Sequence, residues 1–567
     1  MAAEEEVNWG FYLRCLSTNA RESGIDPASD PSLLNSIRKL CDICREGSSE
    51  DLVARVYPYV NKLFHRCINF VPQSRASNGL FLLAILQFFL DFGEAVLHDS
   101  DPSLTAFFRT CLSQEFSDPL VGEATVDFIK KNKTKITNSF PSLLPQFFPL
   151  LLKLIAWNGE KVEKSFLEIL PSMMSNGSFL PLFPSLIDLP ILVMALEKVE
   201  RSSGTLIGSS IASIQKSTAP EMLLALMDEA YTGSTIDDRG GDSGSDDNNT
   251  IDIADPSFLD ILKDENDGLP ERHRTSSALT EAIQAATNTS QSNRLKQALK
   301  MTPRLLDVYF SAALQDVNDS LICSVIPLIM SRNSIMFPDK NFSFEVRRRL
   351  LEFISAVFQR SPSFIALLKK PIIDRLGETR ENMAKTELAL NLCWVIGEHG
   401  AGGISHKNAA RELFESLELL LYENLATSRL GMESHIDSND AVSRKSLQVR
   451  LLCFVVTAIA KLATFHRELL PRARVSLSKV ARSRKSDRRV WSRACDYLGL
   501  MNEPALCQTI LGPTDDPNMT SAGMVNWHNR GSKMIAHIPF YILNEQEGPP
   551  FHDFSFSDIL PTHKTSL

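Results

Sequence analysis

The chain has 567 residues, of which 44% are hydrophobic and 22% charged, and its formal net charge is −9. These fractions are ordinary for soluble globular protein and exclude a chain that is disordered throughout, because the apolar content is sufficient to build cores. The length corresponds to several domains or to one long repeat array, and the acidic balance argues against a chain that coats nucleic acid.

The N-terminus and the apolar stretches predict neither a targeting signal nor a membrane span. The chain starts with an acidic run, whereas a signal peptide starts with basic residues and an apolar run. The uncharged stretch 76–90 is shorter than a span needs, and the stretch 169–187 contains three prolines. We therefore expect a cytoplasmic protein whose membrane contact is peripheral.

Helical patterns dominate the chain up to about residue 500. Apolar residues recur three and four positions apart, as at Val162, Phe166, Ile169 and Met173, and short polar or proline-containing breaks separate these stretches. Strand-like alternation is nearly absent. Helix pairs that continue over hundreds of residues predict an all-α protein, a HEAT- or armadillo-like α-solenoid.

Several helices are expected to begin at a capping side chain followed by proline. An acid or hydroxyl at the cap accepts backbone N–H bonds, and proline suits the first helical turn. The pattern occurs at Asp101-Pro102, Asp118-Pro119, Asp255-Pro256 and Ser361-Pro362.

The net charge of the chain comes from one acidic segment. Residues 237–267 hold eleven acids and two bases, a charge of −9, so the remainder is formally neutral. The surrounding residues 231–275 have too little apolar surface to offset the entropy lost on ordering, which predicts a disordered insert. The insert separates an N-terminal half, 1–230, from a C-terminal half, 276–500. An irregular tail, 501–567, follows.

A short apolar string lies within the insert and has two interpretations. It is either a short helix, capped by Asp255, that packs back on the protein, or a linear motif for a groove in a partner. We favour packing on the protein. The residues that would enter such a groove are Phe258, Leu259, Ile261 and Leu262.

The strongest charge cluster outside the insert is basic. The segment 472–493 contains nine bases and one acid. The simplest interpretation is a solvated helix end, where cations favour the C-terminal dipole. The alternatives are contact with anionic lipid and binding of nucleic acid or a nuclear-localisation signal. The densest bases are Arg482, Arg484, Lys485, Arg488 and Arg489.

The sequence shows no pattern typical of an enzyme or a metal site. It contains no Gly-Lys dipeptide, and hence no phosphate-binding loop, and no His-Glu-x-x-His string. Cys41 and Cys44 form the one close cysteine pair, but no second pair stands at zinc-site spacing and both fall on an apolar helix face. We therefore predict no catalytic, cofactor or metal site.

Three strings, in this order, resemble those of a known family. The string Trp394-Val395-Ile396-Gly397-Glu398 resembles one in the helical trunk of adaptin large chains, although position 399 is histidine where that string has tyrosine. Together, over roughly residues 100–500, they resemble the zeta subunits of the fifth adaptor protein complex. The strings are Leu154-Ile155-Ala156-Trp157-Asn158, Trp394-Val395-Ile396-Gly397-Glu398 and Leu469-Leu470-Pro471-Arg472-Ala473.

The resemblance implies a non-enzymatic scaffold of an adaptor complex. It would be one of two large chains in a heterotetramer with a beta-type large chain, a medium subunit and a small subunit, the small subunit lying on the concave face of the trunk. Such complexes sort proteins without clathrin at late endosomes and lysosomes, alongside spatacsin and spastizin proteins. The chain would then be cytoplasmic and peripherally bound to those membranes.

Two further expectations follow from the resemblance. Other large chains end in a hinge and an ear domain, and the residues after position 500 are too few for one, so we expect no appendage. The family has also carried a helicase-type label. The alternative function is therefore a nuclear factor associated with DNA repair, or another HEAT scaffold with the basic cluster as its nuclear signal.

Overall fold

A computed structural model describes residues 2–21, 31–47, 50–71, 78–203, 283–284, 291–379, 383–400, 407–430, 438–483 and 487–511. The regular structure in these ranges is helical throughout, which confirms the predicted all-α class. The insert 231–275, with the motif residues Phe258, Leu259, Ile261 and Leu262, lies outside the described residues, as does most of the tail. The predicted segment boundaries and the absence of an ear therefore stay predictions.

The described chain is a succession of helices, several of them joined by shorter helical turns. Before residue 204 they are α1 (Ala2–Arg21), α2 (Pro31–Gly47), α3 (Glu50–Phe70), α4 (Gly79–Phe92), α5 (Ser100–Ala106, continued by a π-helical turn, Phe107–Leu112), α6 (Pro119–Lys131), α7 (Lys133–Ser139), α8 (Phe148–Asn158), α9 (Glu160–Ile169), α10 (Phe179–Ile187) and α11 (Leu189–Ser203). After residue 290 they are α12 (Asn293–Asp316), α13 (Asp319–Arg332), α14 (Lys340–Arg360), α15 (Lys369–Gly377), α16 (Met383–His399), α17 (Lys407–Leu430), α18 (Ser438–Phe465), α19 (Leu470–Arg482), α20 (Arg488–Leu500) and α21 (Pro504–Leu511).

The helices form two compact units, and the first comprises Met1–Ala312 with Phe337–Asp339. Its helices stack in chain order: α2 packs on α4, α4 on α6, α6 on α8 and α9, and α8 on α11. Helix α12 joins this unit through Tyr309, whose ring stacks on Phe179 at 5.2 Å and whose hydroxyl donates to the Phe179 carbonyl at 2.9 Å. Stacking of consecutive helices is the arrangement expected of helical repeats.

The second unit comprises Ala313–Met336 with Lys340–Leu567, and α18 is its central helix. Helix α18 packs on α16, α17, α19, α20 and α21. A glycine permits a close approach: a Cβ on Gly397 of α16 would lie 3.3 Å from the Cα of Ala458 in α18. Next to this contact, Glu398 and the buried Lys461 form an ion pair between the same two helices.

Among the residues that the structure describes, two helical stretches are long and apolar enough to cross a membrane, Gly79–Val96 and Arg444–Phe465, and the bent pair Phe179–Ile187 and Leu189–Glu197 would be a third if it formed one span. The uncharged stretch 76–90 overlaps only part of the first, and the second was not among the predicted apolar stretches. Within the protein, 61% and 78% of the first two stretches are buried, so neighbouring helices already cover most of their apolar surface. A buried helix of a helical stack is apolar on most sides, which accounts for this composition.

Of the four predicted helix starts, the structure confirms one and corrects two, and Asp255-Pro256 lies outside the described residues. Asp118 caps α6, because its side chain accepts the backbone N–H of Leu120 at 2.8 Å. The cap of α5 is Asp99 rather than Asp101, and near Ser361 the helical turn begins only at Phe364. Proline is tolerated throughout the first helical turn, so an acid-proline pair indicates a helix start without fixing the capping residue.

Candidate functional site

Helices α19 and α20 carry the basic segment 472–493 and meet at a corner. Helix α19 ends at Arg482, and α20 begins at Arg488. The one acid of the segment, Asp487, caps α20 by accepting the backbone N–H of Arg489 at 3.0 Å. Arg484 and Lys485 lie outside the described residues.

The first base of the segment is neutralised by two acids on α17. Arg472 pairs with Glu415 at 2.8 Å and with Glu418 at 2.7 Å. The hydrogen bond to Glu415 raises the pKa of Arg472. Burial alone would raise the pKa of Glu418, but hydrogen bonds from Ser476, Tyr422 and Arg472 lower it. This base therefore joins α17 to α19 and contributes little free charge to the surface.

Three more bases of the segment make contacts within the second unit. Arg474 donates to a backbone carbonyl at 2.6 Å, and Lys479 lies 4.0 Å from the ring centre of Tyr422. Arg493 is 1% exposed and donates to the Thr457 hydroxyl at 3.1 Å. These three bases therefore contact neighbouring helices of the second unit, a role that their charge alone did not predict.

The remaining described bases of the segment lie at the α19–α20 corner. Arg482, Arg488 and Arg489 are exposed there. The indole N–H of Trp491 donates to the carbonyl of Ala481 at 2.9 Å, which joins the first turn of α20 to the last turn of α19. The Trp491 side chain nevertheless remains 41% exposed. We call Arg482, Arg488, Arg489 and Trp491 the basic corner.

The structure thus brings together three of the five predicted candidate bases and adds an aromatic residue to them. Trp491 was not among the predicted site residues. The signal for it was its position three residues after Arg488, since residues three apart lie on the same helix face. Contact of the basic corner with anionic lipid stays a prediction.

A second candidate is a cavity of about 360 Å³ in the first unit, between α2, α4 and α6. Arg45 bridges its edge, pairing with Asp42 at 3.1 Å and with Asp91 at 2.5 Å. Charged side chains of both signs line the rest of the rim, and the floor is apolar. The floor consists mainly of Leu80, Leu83, Ala84 and Ala124, and the rim mainly of Arg38, Asp42, Arg45, Asp127 and Lys131. We call this cavity the α2–α4–α6 groove.

The two close cysteines lie beside the groove in an environment that disfavours thiolate chemistry. Burial raises the pKa of Cys41 to about 12 and that of Cys44 to about 11, so both stay protonated at neutral pH. Among the residues that the structure describes, no group of three or more His, Cys, Asp and Glu side chains is placed to hold a metal ion.

The three strings that carry the family resemblance are positions where helices pack together. Trp157 at the end of α8 is covered by the guanidinium of Arg294, 3.6 Å from its ring centre. Gly397 allows α16 to approach α18. Arg472 joins α19 to α17. Each of the three strings thus contributes a residue to a contact between helices.

Comparisons with known proteins agree with this fold. Residues 28–153 match a family described as an AP-5 complex subunit in vesicle trafficking, and residues 253–530 match one described as the C-terminal TPR repeats of AP-5 complex subunit zeta-1. TPR units are helix pairs, like the predicted HEAT or armadillo units. The second matched range contains both the basic corner and the predicted motif 258–262.

Two curated relatives carry the same family name. The mouse AP-5 complex subunit zeta-1 is 23% identical over 525 residues, which is 90% of this chain and 59% of the relative. The human AP-5 complex subunit zeta-1 is 24% identical over 449 residues, 77% of this chain and 50% of the relative. The chain thus spans about half the length of these relatives. No solved structure matches it significantly.

Proposed function

The chain belongs to the family of AP-5 complex zeta subunits, and from this premise we propose that it is a non-enzymatic large scaffold subunit of a heterotetrameric adaptor complex. Its task is vesicle-mediated protein transport at late endosomes and lysosomes, without clathrin. The observation that carries the proposal is the match of two successive parts of the chain, 28–153 and 253–530, to families named for one adaptor complex.

The helical stack supports a scaffold role. Ion pairs link neighbouring helices at the surface, as between Lys130 and Glu168 at 2.8 Å in the first unit and between Lys369 and Glu412 at 2.6 Å in the second. Helical stacks present long surfaces on which other subunits can lie. Proposed partners are a beta-type large chain, a medium subunit and a small subunit, with spatacsin- and spastizin-like proteins as further partners.

We assign the small subunit to the α2–α4–α6 groove. The whole groove falls within residues 28–153, the part of the chain that matches the first family. An apolar floor with a rim of both charge signs suits a protein surface better than a lipid or a nucleic acid, because polar rims around apolar centres are typical of protein interfaces.

A pull-down with the tagged full chain tests the proposal. Under mild lysis the chain should recover a beta-type large chain and a small subunit, and their absence would contradict an adaptor role. Fluorescence microscopy of the tagged chain should show peripheral staining of late endosomes and lysosomes. Nuclear staining that disappears when the basic corner is neutralised would instead favour the nuclear alternative.

A matched pair of variants on α6 tests the groove. Ala124→Arg places a long charged side chain in the floor, whereas Leu120→Arg makes the same change at a position of the same helix that is 64% exposed and does not line the groove. The first variant should lose the small subunit from the pull-down while the second keeps it. Equal recovery by both, with unchanged circular dichroism, would remove the groove from the proposal.

A further inference from the structure

We propose that Leu97 is a contact residue for the small subunit of the proposed complex, and that this subunit receives it in an apolar pocket bordered by basic side chains. Leu97 lies in residues 93–99, which join α4 to α5 and which we call the α4–α5 turn. The identity of the partner rests on the proposed function. Leu97 is outside the α2–α4–α6 groove and would give the same subunit a second contact.

Leu97 is unfavourable within this chain alone for two reasons. Its backbone is left-handed, with φ 52° and ψ 39°, and among the residues that the structure describes it is the only one other than glycine with a positive φ. This conformation is costly for a residue with a Cβ, whereas glycine adopts it freely. The side chain is also 95% exposed, so it gains nothing from burial in this chain. Glycine would therefore serve the local fold better at this position.

The next residue holds the turn in this conformation. His98 stacks on Phe89, with 4.0 Å between ring centres, and its backbone N–H donates to the Gly93 carbonyl at 2.8 Å. Its two ring nitrogens lie 3.1 Å from the Tyr57 hydroxyl and 3.2 Å from the Ser103 hydroxyl. Backbone strain persists where surrounding contacts fix it in this way, and it concentrates at functional sites. A leucine fixed in solvent also loses little freedom when a partner binds it.

The α4–α5 turn continues the face of α4 that lines the groove. Gln87 lines the groove, and Asp91, one helical turn further on, pairs with Arg45 at the edge of the groove. Glu94 and Leu97 follow at intervals of three residues, the spacing that keeps side chains of helical turns on one side. Leu97 is ten residues from Gln87, about 15 Å at the rise of a helix. A subunit seated in the groove would thus reach the turn along one continuous surface.

The charges next to Leu97 determine the chemistry of the partner. Glu94, Asp99 and Asp101 are exposed, and residues 93–103 contain no lysine or arginine. These acids disfavour an anionic bilayer and a nucleic acid, because like charges would face each other. A protein pocket with an apolar centre and a basic rim is the complement of a leucine flanked by acids.

Titration of the immobilised full chain with the purified small subunit tests the inference. Leu97→Ala removes most of the apolar side chain and keeps the strained backbone. It should bind at least about tenfold more weakly, with an unchanged midpoint in urea unfolding. Leu97→Gly should bind as weakly, but its urea midpoint should rise above that of the wild type because the strain is relieved. A leucine with only a local structural role would not combine weaker binding with greater stability.

Leu120 provides a matched control. It is 64% exposed, stands in the first turn of α6 and does not line the groove. Leu120→Ala should keep the wild-type affinity, and Leu120→Gly should lower the urea midpoint, because glycine weakens a helix. The same glycine substitution should therefore have opposite effects on stability at the two positions.

Charge reversal beside Leu97 tests the basic rim of the pocket. The double variant Glu94→Lys, Asp101→Lys should bind more weakly than the neutral double variant Glu94→Gln, Asp101→Asn, because added bases would repel the bases of the partner. Equal affinity of the two double variants would show that the rim of the pocket is not basic, and that part of the inference would be wrong.

Three results would overturn the Leu97 contact. They are wild-type affinity of Leu97→Ala, a Leu97→Gly variant less stable than the wild type, and loss of the beta-type large chain rather than the small subunit from the pull-down. Ala124→Arg separates this inference from the proposed function. If that groove variant loses the small subunit while Leu97→Ala keeps it, the groove assignment stands and the Leu97 contact is wrong. A wild-type chain that recovers no adaptor subunit contradicts the proposed function and the named partner together.

Discussion

Gly397, which has no Cβ, allows α16 to lie close to α18. A Cβ at this position would lie 3.3 Å from the Cα of Ala458, closer than most real Cβ contacts, and 3.5 Å from its Cβ, an ordinary van der Waals distance. Beside it, the pair formed by Glu398 and Lys461 is almost fully withdrawn from water. The space beside Gly397 is thus narrow: an alanine Cβ would need a shift of a few tenths of an ångström, and a branched side chain would need α16 to move away from α18.

Gly397→Val should destabilise the protein through this contact. Overpacking of a closely packed interface costs about 1–3 kcal/mol, and the change should appear as a lower midpoint in urea unfolding. The control is Gly499→Val in α20, where an added Cβ meets nothing within 4 Å. Equal stability of the two variants would show that α16 and α18 can separate without cost.

Asp496 introduces a pH dependence into the second unit. Burial raises its pKa to about 6, against the opposing influence of Arg493. Between the ordinary aspartate pKa and about pH 6, the folded protein therefore keeps the Asp496 carboxyl protonated, whereas the unfolded chain has lost that proton. Stability from this group is fully present below the unfolded pKa and is lost as pH rises through about 6.

Asp496→Asn should consequently be more stable than the wild type at neutral pH. One pKa unit corresponds to about 1.4 kcal/mol, so the gain at pH 7 should be on the order of 2–3 kcal/mol and should disappear below about pH 4. Urea unfolding at a series of pH values measures it. A difference between the two proteins that does not change with pH would contradict this assignment.

At the scale of the elements, helix starts depend on which side chain reaches the first free N–H groups. Asp118 reaches two of them in α6, at 2.8 and 3.3 Å from Leu120 and Val121. Asp101 precedes a proline in the same way, but α5 has already begun and Asp99 serves as its cap. The two aspartates have the same local sequence and different roles.

This difference gives a matched pair of substitutions. Asp118→Ala should cost about 1 kcal/mol of stability, the usual effect of losing a cap, whereas Asp101→Ala should change it by only a few tenths. Thermal unfolding of both variants measures the comparison. If Asp101→Ala proves the more damaging, the cap of α5 has been assigned to the wrong residue.

At the scale of the whole molecule, the charge distribution separates a neutral helical scaffold from one acidic segment. Residues 237–267 carry the full −9, while of the described bases of 472–493 Arg472, Arg474, Lys479 and Arg493 make contacts inside the second unit and Arg482, Arg488 and Arg489 are exposed at the basic corner. The composition of 231–275 predicts that this is where the chain is most open to proteases. Proteases are thus expected to cleave the insert before they cleave the helical scaffold.

Limited proteolysis of the full chain should cut first between residues 231 and 275. Deletion of the acidic residues 237–254 should remove the early cuts in that stretch and leave the later digestion pattern unchanged. Mass spectrometry of the first fragments identifies the sites. First cuts within α14 or α18 would contradict the predicted division of the chain.

The sequence by itself determined the helical class, the family and the location of the charge. Helical periodicity is a local property, readable from neighbours in the chain, and the family strings are short for the same reason. Only the tertiary structure decided that Asp99 rather than Asp101 caps α5. It also decided which bases of 472–493 pair with acids on α17 and that Trp491 joins the corner. The pairing of the bases depends on contacts between residues far apart in sequence, such as Arg472 with Glu415, and charge alone does not specify which partner lies within reach.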